Sequence, residues 1–306
     1  MAKILIATEK PFAKIAVDGI KEVAKTAGLE VVLLEKYTEK AQLLAAVADV
    51  EAMIIRSDKI DNEVFDAAKN LKIVVRAGAG YDNVDLAAAT AHGVVVMNTP
   101  GQNSNAVAEL VFGMLVFAVR NFYNGKAGTE LKGKKLGILA YGNVGRRVAH
   151  IAKGFDMDVY AYDAYCPAAA IESDGVKAVS SQDELFEKCE VVSLHIPATA
   201  ETRQSINYAL VGKMPKGGVL VNTARKEVIN EPELLKLMQE RTDLKYVTDI
   251  MPEADADFRI LEGRYFSTPK KMGAQTAEAN INAGVAAAHQ IAAFFKDGCT
   301  KYQVNK

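Results

Sequence analysis

Short apolar runs alternate along this chain with longer segments in which apolar residues recur at helical spacing. The first series of runs predicts buried strands at Lys3–Thr8, Val31–Leu34, Ala52–Ile55, Lys72–Val75 and Val94–Met97. The second series predicts strands at Lys135–Ala140, Asp158–Tyr162, Val191–Ile196, Gly218–Asn222 and Lys245–Ile250. Fully apolar strands separated by helices are typical of parallel sheets that are covered on both faces. The pattern therefore predicts an α/β protein with two doubly wound parallel-sheet domains.

The boundary between the two domains is predicted from turn-forming residues. The stretch NTPGQNSN at 98–105 is the richest in such residues, and a long apolar helix over Ala106–Asn121 follows it. A second long helix is predicted over Ala277–Phe295, and the residues after it have no partner strand in the second series. We therefore expect the chain to cross back, so that residues 1–97 and 277–306 form one domain and residues 98–276 form the other.

Composition and charge exclude several classes of function. The chain has 306 residues and a formal net charge of -1, which argues against broad electrostatic binding of nucleic acid or an anionic membrane. Its cysteines, Cys166, Cys189 and Cys299, are far apart and form no CxxC pair. They indicate a reducing compartment and give no support for a metal site. With no apolar run near ~18 residues and no signal peptide, the chain is expected to be cytoplasmic.

A candidate nucleotide loop follows the first strand of the second series. Ala140–Gly145 reads AYGNVG, which matches the GxGxxG pattern except that alanine replaces its first glycine. Gly142 would allow close approach of a pyrophosphate, and Gly145 would let the following helix pack tightly on its strand. The backbone amides of Asn143 and Val144 would then face phosphate at the helix N-terminus. The motif alone leaves an ordinary tight strand–helix turn as the alternative.

An acidic residue at the end of the next strand favours the nucleotide interpretation. Asp163 follows Gly145 by 18 residues, where a carboxylate can bond the ribose hydroxyls and repel the 2′-phosphate of NADP. The expected cofactor is therefore NAD. If Ala140 adopts a positive φ, its side chain will be strained there.

Five segments, in order along the chain, resemble the D-2-hydroxyacid dehydrogenase family. They are Val74–Asp85, Val96–Glu109, Ser193–Thr202, Val221–Arg225 and Thr248–Ile250. The first resembles the substrate loop of the family in the form found in phosphoglycerate dehydrogenases. The resemblance implies a flavodoxin-like substrate-binding domain, a Rossmann NAD-binding domain, and a homodimer formed through the second of these.

The resemblance also implies roles for particular residues. Arg225 would clamp the substrate carboxylate and polarise the C2 oxygen, as a guanidinium can. The cofactor contacts that it implies, beyond the nucleotide loop, are His195, Ile196, Pro197, Thr202, Thr223, Ala224, Arg225, Asp249 and Lys270. The substrate contacts that it implies are Arg56, Arg76, Ala77, Gly78, Ala79, Gly80 and Asn98.

The chain departs from the family where the acid/base group is expected. Family members carry a histidine in a TPH segment, whereas this chain reads STPKKMGAQT from Ser267, so that Lys270 takes the place of the histidine and Lys271 follows it. Either lysine is a candidate, because burial or nearby positive charge lowers the pKa of an amine. The glutamate that pairs with the histidine is displaced by one residue, which makes Glu253 a candidate partner or a solvated loop acid.

The activity that the resemblance implies is NAD-dependent oxidation of D-3-phosphoglycerate to 3-phosphohydroxypyruvate, the first step of a phosphorylated route to serine. Arg56 and Arg76 follow neighbouring strands, and two cations there make a phosphate pocket plausible. One alternative is a dehydrogenase for another 2-hydroxy acid, such as glycerate or a four-carbon phosphorylated acid. The other is a non-catalytic NAD-sensing protein.

Overall fold

In the computed structural model, which describes residues 1–305, the chain folds into two α/β units. The first unit comprises Met1–Asn103 and the C-terminal segment that begins at Thr276, and the second comprises Ser104–Gln275. Each unit contains one parallel sheet with helices on both faces, so the predicted fold class is confirmed. The first division falls within the turn-rich stretch at 98–105.

The strands and helices follow each other in a regular alternation. The strands are β1 (Lys3–Thr8), β2 (Glu30–Glu35), β3 (Ala52–Ile55), β4 (Ile73–Arg76), β5 (Val95–Asn98), β6 (Lys135–Leu139), β7 (Asp158–Tyr162), β8 (Lys177–Ala178), β9 (Val191–Leu194), β10 (Val219–Asn222), β11 (Lys245–Thr248) and β12 (Tyr265–Ser267). The helices are α1 (Lys14–Thr26), α2 (Lys40–Val47), α3 (Asn62–Ala67), α4 (Leu86–Ala91), α5 (Ser104–Val119), α6 (Asn143–Gly154), α7 (Ala168–Glu172), α8 (Gln182–Lys188), α9 (Tyr208–Val211), α10 (Glu231–Glu240), α11 (Asp255–Arg259) and α12 (Ala277–Asp297).

The sheet of the first unit has the strand order β2-β1-β3-β4-β5, which is the flavodoxin-like order. Helices α1 and α12 bury their apolar faces against one side of it, and α2, α3 and α4 cover the other. All four residues of β3 are buried, because helices cover both of its faces. This double cover explains why the strand reads as an unbroken apolar run.

The sheet of the second unit has the order β12-β11-β10-β9-β6-β7-β8. From β8 to β11 and β12 this is the doubly wound order of a Rossmann domain, and its direction of winding reverses between β6 and β9. Ligands of such sheets bind outside the carboxyl ends of the strands near this reversal. The short strands β8 and β12 were not predicted, because runs of two and three residues carry too little periodic pattern.

Two glycines allow α1 and α12 to pack closely in the first unit. A Cβ atom on Gly19 would lie 2.8 Å from Val285 Cγ2, and one on Gly284 would lie 3.1 Å from the ring of Phe12. Thr276 caps the N-terminus of α12 by accepting a hydrogen bond from the amide of Ala279. The close packing fixes the first turns of α12 beside the loop that precedes α1. No helix within residues 1–305 combines the length and the apolarity needed to cross a membrane.

The segment after α12 pairs with the edge strand β5 of the first sheet. Gln303 forms an antiparallel bridge with Met97, and the amide of Val304 donates to Val96 O at 2.9 Å. The buried Asn305 continues this pairing with its side chain, which accepts from the Val96 amide at 2.8 Å and donates to Val94 O at 2.8 Å. The tail thus satisfies backbone groups that an edge strand otherwise leaves unpaired.

We predict that Asn305→Ala lowers the free energy of unfolding by about 2–3 kcal/mol, because two buried backbone groups lose their partners. Urea unfolding of the two proteins measures this difference. The matched control is Lys301→Ala on the exposed turn before it, which should change stability by less than ~0.5 kcal/mol. Equal midpoints for the Asn305 variant and the control would contradict the prediction.

Candidate active site

The predicted nucleotide loop lies between β6 and the N-terminus of α6. Ala140 has φ 77, in the left-handed region, and its amide donates to Tyr162 O at 2.8 Å. A Cβ atom on Gly145 would lie 2.4 Å from Ala140 O, so only glycine lets α6 approach the strand this closely. Gly142 is the N-cap of α6, and a Cβ atom there would meet nothing within 4 Å. The loop therefore leaves open space at a helix N-terminus, where backbone amides favour anions.

Asp163 braces this loop from the end of β7. Its carboxylate accepts hydrogen bonds from the amide of Tyr141 at 2.7 Å, from that of Tyr165 at 2.7 Å and from that of Cys166 at 2.9 Å. An ionised carboxylate offers about four acceptor positions, so three backbone bonds leave about one for a ligand hydroxyl. The predicted ribose role of Asp163 thus adds to a structural role that the sequence did not reveal.

We predict that Ala140→Gly raises the free energy of unfolding by about 1 kcal/mol, because glycine relieves the left-handed strain of an L-residue. Urea unfolding measures the gain, and NAD titration tests whether binding tightens with it. Ala169→Gly, at an exposed position of α7, should instead lower stability by about 0.5–1 kcal/mol. Equal losses in both variants would show that Ala140 is not strained.

The turn after β10 is shaped by a buried asparagine. Asn222 accepts from the amide of Ala224 at 2.9 Å and donates to Arg225 O at 3.0 Å, which folds the backbone sharply at the strand end. Within this turn Thr223 is 5% exposed, and its Oγ1 has no hydrogen-bond partner within the described chain. A buried hydroxyl without a protein partner can bond a ligand or a water molecule at the strand end.

Lys271 brings its amine to the ends of β10 and β11. Its Nζ donates to Thr223 O at 2.7 Å and to Ala224 O at 3.3 Å, and it pairs with Asp249 Oδ1 at 2.9 Å. Asp249, which directly follows β11, is 0% exposed. Its Oδ2 accepts from the amides of Met272 at 3.3 Å and Gly273 at 2.6 Å. One carboxylate therefore holds both the lysine and the backbone that follows it.

Burial is the largest effect on Lys271 and lowers its pKa below the ordinary lysine value. The charge of Arg225 lowers it further, and Asp249 opposes both effects. The exposed guanidinium of Arg225 donates to Ala224 O at 2.9 Å, so that both cations bond the same carbonyl oxygen. The site therefore combines a partly desolvated amine with a neighbouring guanidinium.

His195 lies at the end of β9, and its ring Nε2 is 2.9 Å from Ser193 Oγ. Burial, aided by the positive charge of Lys271, lowers the pKa of His195 to about 3. The imidazole is therefore neutral at physiological pH, and it is a hydrogen-bonding group rather than a third cation. In the loop after it, Thr202 donates to Pro197 O at 2.5 Å and accepts from the amide of Thr199 at 2.7 Å, which closes the loop on itself.

The structure does not bring together all the predicted catalytic residues. Lys270 is exposed, and only its carbonyl oxygen is engaged, by Thr268 Oγ1 at 2.7 Å. Glu253 is exposed and pairs with Lys226 at 2.9 Å, so it is not the partner of either lysine. Of the two adjacent lysines, Lys271 is the one with a carboxylate partner, and that partner is Asp249. Sequence spacing could not distinguish adjacent lysines, because the bend after β12 decides which one turns inward.

In the first unit, Arg76 and the glycine loop after β4 form one compact cluster. Gly78 has φ 148, and a Cβ atom there would lie 1.5 Å from Arg76 Nη1, so glycine is required for the arginine to fold over the loop. Asn98 donates to Ala79 O at 2.6 Å, and the amide of Thr99 donates to Gly78 O at 2.9 Å. These bonds from the end of β5 hold the predicted substrate loop, Ala77–Gly80, in place.

Arg56 is half-buried and tied to protein groups. Its Nη1 donates to Lys10 O at 2.9 Å and Pro11 O at 3.0 Å, and its Nη2 donates to Asn280 Oδ1 at 2.7 Å. The guanidinium also lies over the ring of Phe12, 5.3 Å from its centroid. Burial lowers the pKa of Arg56, with Asp58 opposing that effect. Three of its five N–H donors are thus used within the protein, which leaves two for a ligand.

Residues 113–265 match the family described as D-isomer specific 2-hydroxyacid dehydrogenase, NAD binding domain. An NAD⁺-bound 3-phosphoglycerate dehydrogenase from Entamoeba histolytica superposes with a TM-score of 0.88 and 49% identity, over 100% of this chain and 99% of that one.

The chain belongs to the D-2-hydroxyacid dehydrogenase family.

Relatives in this family differ in name and in length. D-3-phosphoglycerate dehydrogenase from Methanocaldococcus jannaschii is 35% identical over 269 residues, which are 82% of this chain and 51% of that protein. Hydroxypyruvate reductase from Thermotoga maritima is 34% identical over 284 residues, which are 86% of this chain and 90% of that protein. The chain thus spans about half the length of the first of these relatives and nearly all of the second.

The residues of the second unit fit the NAD that this dehydrogenase family uses. Gly142 leaves room at the N-terminus of α6, and Thr223 offers an unsatisfied buried hydroxyl at the end of β10. Asp163 has acceptor capacity left for one hydroxyl. Within residues 1–305, no cluster of three or more His, Cys, Asp or Glu side chains is arranged to hold a metal ion.

Proposed function

We propose that this dehydrogenase oxidises D-3-phosphoglycerate to 3-phosphohydroxypyruvate with NAD, with Lys271 as the acid/base group. The observation that carries the proposal is the amine of Lys271, held 2.9 Å from the buried Asp249 and beside Arg225 at the carboxyl ends of the strands. Relatives named D-3-phosphoglycerate dehydrogenase support the choice of substrate. The family resemblance adds two further proposals, a place in a route to serine and a homodimer. A cytoplasmic location is also proposed, because the sequence has no apolar run near ~18 residues.

The chemistry requires that a hydride and a proton leave the hydroxy acid together. NAD, when bound, accepts the hydride from C2. The neutral amine of Lys271 takes the hydroxyl proton, so that a keto acid forms and the resulting ammonium later gives its proton to water. In the reverse direction, the ammonium of Lys271 donates the proton to the developing alkoxide.

Arg225 is proposed to orient the substrate in this step. Only one of its N–H donors is used within the described chain, by Ala224 O at 2.9 Å. The remaining donors can form the paired bonds by which a guanidinium holds a carboxylate. Holding the carboxylate fixes C2, and such positioning lowers the barrier to transfer.

In the first unit, Arg76 and the remaining donors of Arg56 are proposed to bind the phosphate. Arg76 Nε donates to Arg56 O at 3.0 Å, which joins the two residues at the ends of β3 and β4. The glycine loop held by Asn98 supplies backbone amides for the carboxylate. Arg56 is largely engaged by protein groups, which use three of its five N–H donors.

That engagement of Arg56 favours one second candidate. A substrate without phosphate, such as glycerate or hydroxypyruvate, would need neither arginine as a ligand. The hydroxypyruvate reductase from Thermotoga maritima, which this chain covers for 90% of its length, supports this alternative. The two candidates share the chemistry of Lys271 and Arg225 and differ only in what the arginines of the first unit bind.

We predict that Lys271→Ala lowers kcat for oxidation of D-3-phosphoglycerate by roughly 10²–10⁴-fold, as expected when a general base is removed. NADH formation, followed by absorbance from about pH 7 to pH 10, measures the loss. Burial lowers the pKa of Lys271, so the neutral amine becomes available below the ordinary lysine range. Wild-type oxidation should therefore rise with pH in that lower range, and the variant should lose this rise.

Lys270→Ala is the matched control, since the adjacent lysine is exposed and its amine has no partner within residues 1–305. Its kcat should stay within about threefold of wild type, because it makes no contact with the reacting groups. Full activity in Lys271→Ala would contradict the proposal that Lys271 is the acid/base group. The absence of turnover with any 2-hydroxy acid in the wild type, together with intact NAD binding, would support the sensing protein instead.

We predict that Arg76→Gln raises KM for D-3-phosphoglycerate by roughly 10–100-fold, because a charge-assisted bond to phosphate contributes ~1.5–3 kcal/mol. Steady-state kinetics with D-3-phosphoglycerate and with D-glycerate measure the change. Activity with D-glycerate should change little, and Arg120→Gln at the exposed end of α5 should leave both substrates unaffected. Equal losses with both substrates would favour the candidate without phosphate.

A further inference from the structure

The carboxylate of Asp249 has partners that its family role does not require. The family resemblance implies that this aspartate contacts the cofactor. In this chain, however, its Oδ1 pairs with Lys271 Nζ at 2.9 Å, and its Oδ2 accepts the amides of Met272 and Gly273. With 0% exposure and three of about four acceptor positions used, the carboxylate is directed mainly at its own protein.

We propose that Asp249 is the positioning residue of Lys271, and that it sets the direction of the amine and the pH at which the amine becomes a base. This inference rests on the proposed function, because it concerns the acid/base group of that reaction. It gives Asp249 the task that the sequence predicted for Glu253, whose carboxylate lies at the surface with Lys226.

The lysine is held from two sides, by bonds to the backbone that follows it and by bonds to its amine. Asp249 Oδ2 fixes the backbone at Met272 and Gly273, which directly follow the lysine. Thr223 O accepts from the amine itself at 2.7 Å. The four-carbon side chain of lysine has many conformations in water. Bonds that hold both the adjacent backbone and the amine select one of them.

Gly273 is required for this contact. A Cβ atom at that position would lie 2.8 Å from Asp249 Oδ2 and 3.2 Å from Val107 Cγ2. Because the Val107 side chain would also be closer than an ordinary contact, the added methyl group would displace the carboxylate. Substitution of Gly273 by alanine therefore shifts the carboxylate of Asp249 without removing its charge.

The charged and titratable groups that face Lys271 come from three neighbouring strand ends. Asp249 after β11 raises the pKa of the amine, Arg225 after β10 lowers it, and the neutral His195 after β9 adds no charge. Loss of the Asp249 charge leaves burial and Arg225 unopposed. The neutral amine then forms at lower pH, so the rising limb of oxidation moves to lower pH.

Competitive labelling with isotopic acetic anhydride tests the inference directly, because the reagent acetylates a lysine only when its amine is neutral. The reactivity of Lys271 in the full chain is measured against pH by mass spectrometry, for wild type and Asp249→Asn. Lys270 in the same peptide reports how well the reagent reaches this segment. We expect the midpoint of the Lys271 labelling curve to lie about one pH unit or more lower in the variant, as for loss of an opposite charge at this distance.

The rising limb of kcat/KM for oxidation should move in the same direction by a similar amount. An unchanged Lys271 titration in Asp249→Asn would overturn the inference, and so would a loss of NAD affinity without any shift. Labelling does not depend on turnover. A shifted titration in a protein whose oxidation does not respond to Lys271→Ala would therefore support the Asp249–Lys271 coupling while rejecting the proposed function.

A second variant covers the case in which Asp249→Asn does not fold, since its amide would face two backbone N–H donors. Gly273→Ala keeps both charges and only displaces the carboxylate. We expect a downward shift of the Lys271 titration that is smaller than the one for the charge loss, together with a lower kcat and a KM for NAD within about threefold of wild type. No change in either the titration or kcat would overturn the inference.

Discussion

Every strand in both sheets runs parallel to its neighbours, and the candidate site depends on this constraint. Each crossover between parallel strands returns the chain to the amino end of the sheet. The carboxyl ends of all the strands therefore lie together at the opposite end. In the second unit, the groups at the carboxyl ends of the strands are the nucleotide loop after β6, Asp163 after β7, His195 after β9, Asp249 after β11 and Lys271 beyond β12. Residues far apart in sequence become neighbours because of strand direction alone.

Strand direction also explains how much the sequence could predict. A buried strand such as β3 is apolar at every position, and the end of each strand marks where functional side chains can lie. Arg225 and Asp249 were predicted from the family resemblance, and the structure places them after β10 and β11. Lys270 and Lys271 differ by one position in an irregular segment, where no period exists to show which side chain points inward. In the structure, the bend after β12 turns Lys271 inward, and the amides of Met272 and Gly273, which donate to Asp249, hold that bend.

The partners of a charged side chain were equally hard to foresee. Arg56 reads as a phosphate ligand because it ends a strand, yet it also holds the segment at Lys10 and Pro11 against α12 through Asn280. Asp163 reads as a ribose ligand, yet three backbone amides already bond it. Both side chains form hydrogen bonds to loop backbone, because irregular loops leave backbone groups that need partners. Ala140 shows the opposite case: it keeps a positive φ that disfavours its side chain. The bond from the neighbouring Tyr141 amide to Asp163 helps hold that conformation.

A lysine as acid/base group must meet two opposing demands, and the surroundings of Lys271 show how they are balanced. With the reference pKa of ~10.4, only about one amine in a thousand is neutral near pH 7.4. Burial and Arg225 increase that fraction, whereas the Asp249 ion pair, which gives the amine its direction, decreases it. A buried carboxylate cannot orient the ammonium without also stabilising its charge. Geometry and basicity are therefore coupled through one contact, and a stronger ion pair would make Lys271 a better-placed but scarcer base. The same contact favours the ammonium, the form that donates a proton during reduction of a keto acid, so reduction should tolerate neutral pH better than oxidation does.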